Sequence, residues 1–266
     1  MNLIEVIEDT LNTIKKDRYT DSEGNIHELN NGHVYLSKIV DRINPNSVKS
    51  LHIPEIEIKN LDSLDAASEL ILEGHRKVSV LNMASWYTPG GGVLKGSRAQ
   101  EEDLCRRTNL LYAIGMGSQF ISNILGIEYN ELYPLKTFET ILIENVTVFK
   151  KSNTYEYMDK PFKCNIITSA AIQNPILIDG KLSEEDRGIT RKKIKDIIFD
   201  SQGNALVLGA FGCGAYHNPP NEIAEIFKEV IEEGVPPYLK KIVFAILDKK
   251  TTDSNLKPFQ DVFNNK

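Results

Sequence analysis

VSVLNMASWYTPGGGVLKGSRAQEEDLCRRTNLLY, residues Val78 to Tyr112, is the stretch around which the chain is built. It opens as a short apolar run at Val78, Val80 and Leu81 and passes through a turn-rich segment to Gly90, Gly91 and Gly92. After seven intervening residues come Gln100, Glu101 and Glu102. Three adjacent glycines let the backbone approach a ligand closely and would weaken a helix or strand interior, so they read as a loop. Ser97 and Gln100 have capping-box spacing, which predicts a helix starting at Ser97. Leu104, Cys105, Thr108, Leu111 and Tyr112 recur at helical intervals and give that helix one buried face. Glu101 and Glu102 then fall in or just after its first turn, where the helix dipole favours ionised carboxylates. Successive helical residues point about 100° apart, so at most one glutamate aims at a bound reactant.

Strand, glycine loop and carboxylates at a helix mouth together suit a phosphorylated sugar held beside an acid/base. The triplet alone also fits a solvated helix face, because Glu102 lies four before Arg106 and Asp103 four before Arg107. The glycine loop at short range is what favours the first reading.

Outward from this stretch, strands and helices alternate. Ile4, Ile7, Leu11 and Ile14 predict an amphipathic helix over residues 2–16. Asp17 to His33 is polar and reads as a loop or arm, so residues 1–50 are expected to be an N-terminal helical and loop extension. Ile53 to Ile58 reads as an edge strand, followed by a helix capped near Asp62 or Ser63 and ending around Gly74. Phe120 to Leu125 extends the helical layer. Thr140 to Phe149 and Cys164 to Ser169 are strands, joined through a polar connection from Lys150 to Lys160. Glu184 to Phe199 is the next helix. Ala205 to Leu208 is wholly apolar, as a central strand covered on both faces must be. A helix begins at Asn218, Pro219 and Pro220, Ile242 to Leu247 is a last buried strand, and Leu256 to Phe263 a terminal helix. This alternation implies one three-layer α/β/α domain over residues 1–266 with a largely parallel mixed sheet.

Ligands of such sheets bind beyond the strand carboxyl ends, which selects the loops after Leu81, Ser169 and Leu208. The last, Gly209 to Tyr216, is a second glycine-rich strand-to-helix turn whose N–H groups could cradle a diphosphate. No Lys-Ser/Thr pair follows it, which excludes a Walker A loop, and no dinucleotide fingerprint is present. Cys213 within it reads as a small buried thiol, since no histidine partner supports a nucleophile. Trp86 and Tyr87 are open between an aromatic wall for substrate and packing under the loop. Arg187, Arg191, Lys192 and Lys193 form a basic helix face expected to be solvated.

Hydrophobic content of 41% and charged content of 26% mark an ordinary soluble globular chain, and 266 residues suffice for a sizeable core. The net charge of −6 argues against general nucleic-acid binding but not against a polyanion held by loop amides. Three cysteines without zinc spacing point to a reducing, cytoplasmic setting, and the dispersed histidines suggest no metal site. No run approaches a membrane span, and the N-terminus has an acidic helical pattern instead of a signal peptide.

Gly90-Gly91-Gly92, seven residues, then Gln100-Glu101-Glu102 resembles the signature of poly(ADP-ribose) glycohydrolases, particularly the bacterial type built on a macrodomain. Val80 to Ser85 before the glycines and Cys105-Arg106-Arg107 after the glutamates fit as well. Leu208 to Tyr216 is similar to that family's diphosphate loop, and Phe244 to Leu247 to its last core strand. Gln173-Asn174, Tyr216 and His217 depart from the family's usual residues. The resemblance implies hydrolysis of ribose–ribose O-glycosidic bonds in ADP-ribose polymers, releasing ADP-ribose with no metal or cofactor. It implies a monomer acting on an ADP-ribose polymer or ADP-ribosylated macromolecule, and it places the essential acid/base at Glu102.

Cleavage through an oxocarbenium-like state asks for such a carboxyl, and adjacent residues on one helix cannot flank a bond, so Glu102 is expected to make both proton transfers. The resemblance further implies that Glu101 and Gln100 position ribose hydroxyls and fix Glu102. Gly90, Gly91 and Gly92 would offer backbone access to ribose and diphosphate, and Asn82 and Ser85 would contact ribose. Gly212, Cys213, Gly214, Ala215 and Tyr216 would meet the phosphates, with Tyr216 packing on the distal ribose. Two other readings stay open at this point, a mono-ADP-ribosyl hydrolase and a non-catalytic ADP-ribose-binding macrodomain. Paired carboxylates facing an anion weigh against the second.

Overall fold

Eight helices and eleven strands form among residues 2–39, 52–248 and 254–264, which the computed structural model describes. The expected N-terminal extension from residue 40 to 50 lies outside them. The first elements are α1 (Leu3–Lys16), β1 (Arg18–Thr20), β2 (Ile26–Glu28) and β3 (Tyr35–Ile39). Then come β4 (Glu55–Lys59), α2 (Ser63–Leu72), β5 (Ser79–Met83), α3 (Gln100–Arg107), α4 (Leu110–Ile114) and α5 (Gln119–Leu125). Long strands β6 (Thr140–Lys150) and β7 (Tyr157–Ser169) follow, with the short β8 (Leu177–Ile178) and β9 (Lys181–Leu182). The chain closes with α6 (Glu184–Asp200), β10 (Ala205–Leu208), α7 (Pro220–Glu232), β11 (Lys241–Ala245) and α8 (Leu256–Asn264).

One seven-stranded sheet runs in the order β3-β6-β7-β5-β10-β11-β4. Pairing is parallel from β7 through β5, β10 and β11 to β4, and antiparallel at β3–β6 and β6–β7. The period-two alternation of strand side chains builds two cores. Val80, Ile166 and Val207 pack toward residues of α1 to α5, whereas Leu81, Ile167 and Leu206 pack toward α6, α7 and α8. Three layers result, with β4 at a sheet edge and β10 buried on both faces, as the sequence pattern implies. Ile7, Leu11 and Ile14 of α1 are buried in the same core as Val80. No described helix is long and apolar enough to cross a membrane.

Polarity misleads in two places. Asp17 to His33 holds the β1–β2 hairpin, because Asp21 accepts from the N–H groups of Glu23 and Asn25 at 2.9 and 2.8 Å and closes the turn. The Lys150–Lys160 connection shrinks to residues 151–156, since the β6–β7 ladder continues to Lys150 opposite Tyr157. Lys150 is buried there, with its ammonium on Asp9 at 2.7 Å and Thr10 at 2.9 Å of α1.

The helix expected from Ser97 to Tyr112 is two helices. Thr108 leaves helical geometry at φ −135° and ψ 170° and forms an antiparallel bridge to Val148 of β6. Its hydroxyl donates to the Leu104 carbonyl at 2.7 Å and accepts from the Leu110 N–H at 3.0 Å, so the break is locally satisfied. The capping box does not form either. Ala99 is the N-cap of α3 and makes no side-chain cap bond.

Candidate active site

A cleft of about 1080 Å³ opens beyond the carboxyl ends of the parallel strands. The loop after β5 forms one wall and the turn after β10 another, so the two glycine-rich segments meet across it. Met83 and Ala84 at the end of β5 lead into this wall, and Gln100 ties α3 to the same strand end. The Gln100 carboxamide accepts from the Met83 N–H at 3.0 Å and donates to the Leu81 carbonyl at 2.7 Å. Gln100 lines the cleft, but its amide serves the β5 backbone.

The two glutamates divide as the helical angle between them requires. Glu101 is 3% exposed and faces the β5 loop, where it accepts from the Ser85 N–H at 2.7 Å and the Gly90 N–H at 3.2 Å. The Asn82 amide adds a third contact at 3.4 Å. Burial outweighs these donors and pushes the Glu101 carboxyl up to about 8. Glu102 lines the cleft, and its Oε1 accepts from the Gly92 N–H at 2.9 Å. Its Oε2 has no partner within the protein.

The glycines are required by this packing. Gly91 has φ +57°, and a Cβ there would lie 2.6 Å from Glu102 Oε1 and 3.0 Å from Glu101 Oε2. A Cβ on Gly92 would run into Ser97 Oγ. The loop amides are directed at the protein itself. Gly90 N–H holds Glu101, Gly92 N–H holds Glu102, and Gly91 N–H donates to the Thr88 carbonyl at 2.9 Å. The close backbone access expected at all three glycines is therefore open at Gly91 and Gly92, with their amides already used. Only Gly91 and Gly92 line the cleft, while Gly90 is buried.

Asn82, expected to contact ribose, is fully buried and does not line the cleft; its amide reaches Glu101 and, at 3.3 Å, Thr168 Oγ1. The reason is the pleat of β5, which puts Asn82 on the same face as Val80, beneath α3. Ser85 lines the cleft, and its hydroxyl accepts from the Tyr87 and Thr88 N–H groups at 3.3 and 3.0 Å.

On the opposite wall, Gly212, Gly214, Ala215 and Tyr216 line the cleft. Among the described residues, the N–H groups of these four make no hydrogen bond within the protein. Gly212 sits at φ +76° with Asn218 packed against it. Asn218, which the sequence marked only as a helix start, donates to the carbonyls of Ile172 at 2.8 Å and Gly212 at 3.1 Å and so shapes the turn. Cys213 is a correction: it does not line the cleft, and burial pushes its thiol well above the ordinary range. Trp86 and Tyr87 are 43% and 65% exposed and line the cleft, so they do not pack under the loop. The Trp86 N–H donates to the Tyr216 hydroxyl at 3.3 Å and its indole to Gln173 at 3.1 Å, linking the loops after β5, β7 and β10.

A polar cluster beside the cleft escaped the sequence reading. Arg106 and Arg107 are each 1% exposed, so the spacing that suggested solvated ion pairs belongs to buried arginines. Arg107 donates to Asp62, to Asp65 at 2.7 Å, to Asp103 at 3.2 Å and to the Lys150 carbonyl at 3.1 Å. Asp62 also N-caps α2 through the N–H groups of Leu64 and Asp65, so one arginine joins the starts of α2 and α3. The basic face of α6 is likewise engaged. Arg187 pairs with Glu229 and Arg191 with Glu233 of α7 and its C-cap, and Lys192 pairs with Asp196 at 2.8 Å. Among the described residues, no three His, Cys, Asp or Glu side chains converge as metal ligands.

Residues 7–151 match the family model of the microbial-type PARG catalytic domain, PARG being poly(ADP-ribose) glycohydrolase. The fold is similar to that of the PARG from Thermomonospora curvata, with a TM-score of 0.79 at 24% identity over 98% of this chain and 99% of that one. The same protein bound to the inhibitor ADP-HPD superposes with a TM-score of 0.78. The PARG from Deinococcus radiodurans in complex with ADP-ribose superposes with a TM-score of 0.63 at 24% identity, over 97% of this chain and 91% of that one. No curated protein sequence matches the chain.

Proposed function

Because the chain belongs to the family of microbial-type PARG catalytic domains, glycohydrolases of ADP-ribose polymers, we propose that Glu102 is the acid/base of that reaction in this protein. One observation carries the assignment. Both glutamates line the cleft, but backbone donors occupy both oxygens of Glu101, whereas the buried Oε2 of Glu102 has no protein donor.

The terminal ADP-ribose unit lies with its diphosphate on the amides of Gly212, Gly214, Ala215 and Tyr216 and its distal ribose beside Gly91 and Glu102. Oriented backbone N–H groups suit a diphosphate without a basic surface, in keeping with the net charge of −6. Protonated Glu102 gives its proton to the departing ribose oxygen as the glycosidic bond breaks. The resulting carboxylate then takes a proton from the water that attacks the anomeric carbon, which returns the acid form. The Gly92 N–H fixes Oε1 through both steps. Glu101, held high by burial, is neutral at pH 7 and keeps a second negative charge away from Glu102 while anchoring Ser85 and Gly90. Trp86, Tyr87 and Tyr216 form the apolar wall around the sugar. The enzyme acts as a single-domain monomer without metal or cofactor, in a reducing cytoplasm where its three free thiols persist.

Glu102→Gln is the direct test, with ADP-ribose release from polymer and ADP-ribose affinity both measured. Release should be abolished while affinity changes by less than about tenfold. Wild-type-like turnover by this variant removes Glu102 from the role. A parallel assay on a mono-ADP-ribosylated protein separates chain cleavage from removal of a single unit.

A further inference from the structure

We infer that Arg98 is a specificity-determining residue that receives the diphosphate of the ADP-ribose unit on the leaving-group side of the scissile bond. This deepens the glycohydrolase reading and rests on it.

Two cationic side chains, Arg98 and Arg106, line the cleft among the described residues. Arg106 is buried and donates to the Ser97 carbonyl. Arg98 is exposed and makes no ion pair or hydrogen bond among the described residues. The acids on this side are already engaged, since Arg107 holds Asp62, Asp65 and Asp103. Arg98 is therefore the available cation of the cleft among the described residues.

Its place relative to Glu102 follows from the packing of its neighbours. Ser97 sits against Gly92, whose N–H binds Glu102, so Arg98 is one residue from a group touching the catalytic loop. The turn at Gly96, two residues before Arg98, packs on Leu3 and Ile4 at the start of α1, and Leu3 also lines the cleft. The diphosphate turn is tied instead to Trp86 and Gln173. Among the described residues no hydrogen bond joins Arg98 to that turn, which leaves it for the unit beyond the scissile bond.

Substrate chemistry names what it meets. The oxygen that leaves belongs to a ribose whose 5′ carbon bears the next diphosphate of the chain. A single ADP-ribose group attached to a protein side chain has no such phosphate. A guanidinium donates in a planar fork suited to phosphate oxygens, and such charge-assisted bonds are the stronger ones. An exposed pair of this kind is also weakened by salt. Arg98 thus favours polymer over single modifications, and it does so without acting on the reacting atoms.

The test uses the Glu102→Gln protein so that ligands stay intact, with and without Arg98→Ala or Arg98→Lys. Affinities are measured for short ADP-ribose oligomers and for free ADP-ribose, at low and high salt. Arg98→Ala should weaken oligomer binding by about tenfold, leave ADP-ribose binding within about twofold, and flatten the salt dependence for oligomers. Arg98→Lys should recover part of the loss. Unchanged oligomer affinity overturns the inference, and so does any equal or larger loss for ADP-ribose, which would mean Arg98 serves the terminal unit or the fold. Oligomer cleavage by the wild type is read separately. Absent cleavage with Arg98-dependent binding sinks the glycohydrolase reading alone, whereas cleavage with Arg98-independent binding sinks this inference alone.

Discussion

Gly91→Ala isolates the link between the glycine loop and Glu102, the proposed acid/base. The new Cβ would stand 2.6 Å from Glu102 Oε1 and 3.0 Å from Glu101 Oε2. Glu101 is held by two backbone donors and the Asn82 amide, so Glu102 is the side chain that gives way. Ordinary contact requires its oxygen to retreat by about 0.8 Å, and a misplacement near 1 Å costs on the order of a hundredfold in rate. That corresponds to about 2.7 kcal/mol of lost transition-state stabilisation. The backbone contributes separately, because φ of +57° costs a residue with a Cβ about 1–2 kcal/mol of stability. Gly126→Ala supplies the control, since Gly126 has φ +70° and nothing within 4 Å of its would-be Cβ. Both variants should lose roughly 5 °C in Tm, while only Gly91→Ala should lose about a hundredfold in kcat/KM for ADP-ribose release. Near-wild-type activity in folded Gly91→Ala, or equal activity losses in the two variants, would refute the claim that this glycine exists to admit Glu102.

Other expectations follow from the buried charges. Burial raises the folded-state value of Glu101 from the ordinary carboxylate range to about 8, so the neutral form favours folding. Its contribution to stability is complete below about pH 4.5 and is lost as pH rises through about 8, with a slope of at most about 1.4 kcal/mol per pH unit. Urea melts of wild type and Glu101→Gln across this range should converge with rising pH, and a constant gap would mean the three donors keep Glu101 ionised throughout. Arg107→Met leaves Asp62, Asp65 and Asp103 facing one another without their cation. Removing one partner of a buried network costs about 3–5 kcal/mol, toward the low end here because Asp65 and Asp103 are partly exposed. The deficit in denaturation experiments should shrink as pH falls, because burial raises the Asp62 carboxyl above its ordinary range and Arg107 is the cation that opposes this; a deficit independent of pH would point to lost packing instead.

Period and punctuation determined much of this protein without coordinates. The wholly apolar Ala205–Leu208, the 3.6-residue spacing in α1 and α7, and glycines directly after strands reflect local constraints, since each face of a strand or helix must match what covers it. They imply the layered α/β/α architecture, its mixed sheet, and two glycine-rich turns at the strand ends. The Gln100-Glu101-Glu102 triplet, singled out in the sequence, lines the cleft. Tertiary structure alone decided which glutamate keeps an oxygen without a protein donor and which direction each polar group takes. Asn82 near the end of β5, and Gly90 and Cys213 in the expected loops, turn inward, because the pleat of β5 and the packing around each turn orient them. Arg106 and Arg107 have the spacing of solvated pairs but sit under the long β6–β7 hairpin, a burial no local pattern encodes. Side-chain direction at a site depends on neighbours distant in sequence, such as Lys150 against α1 or Asn218 against Gly212, and these contacts exist only once the sheet has brought its strands together.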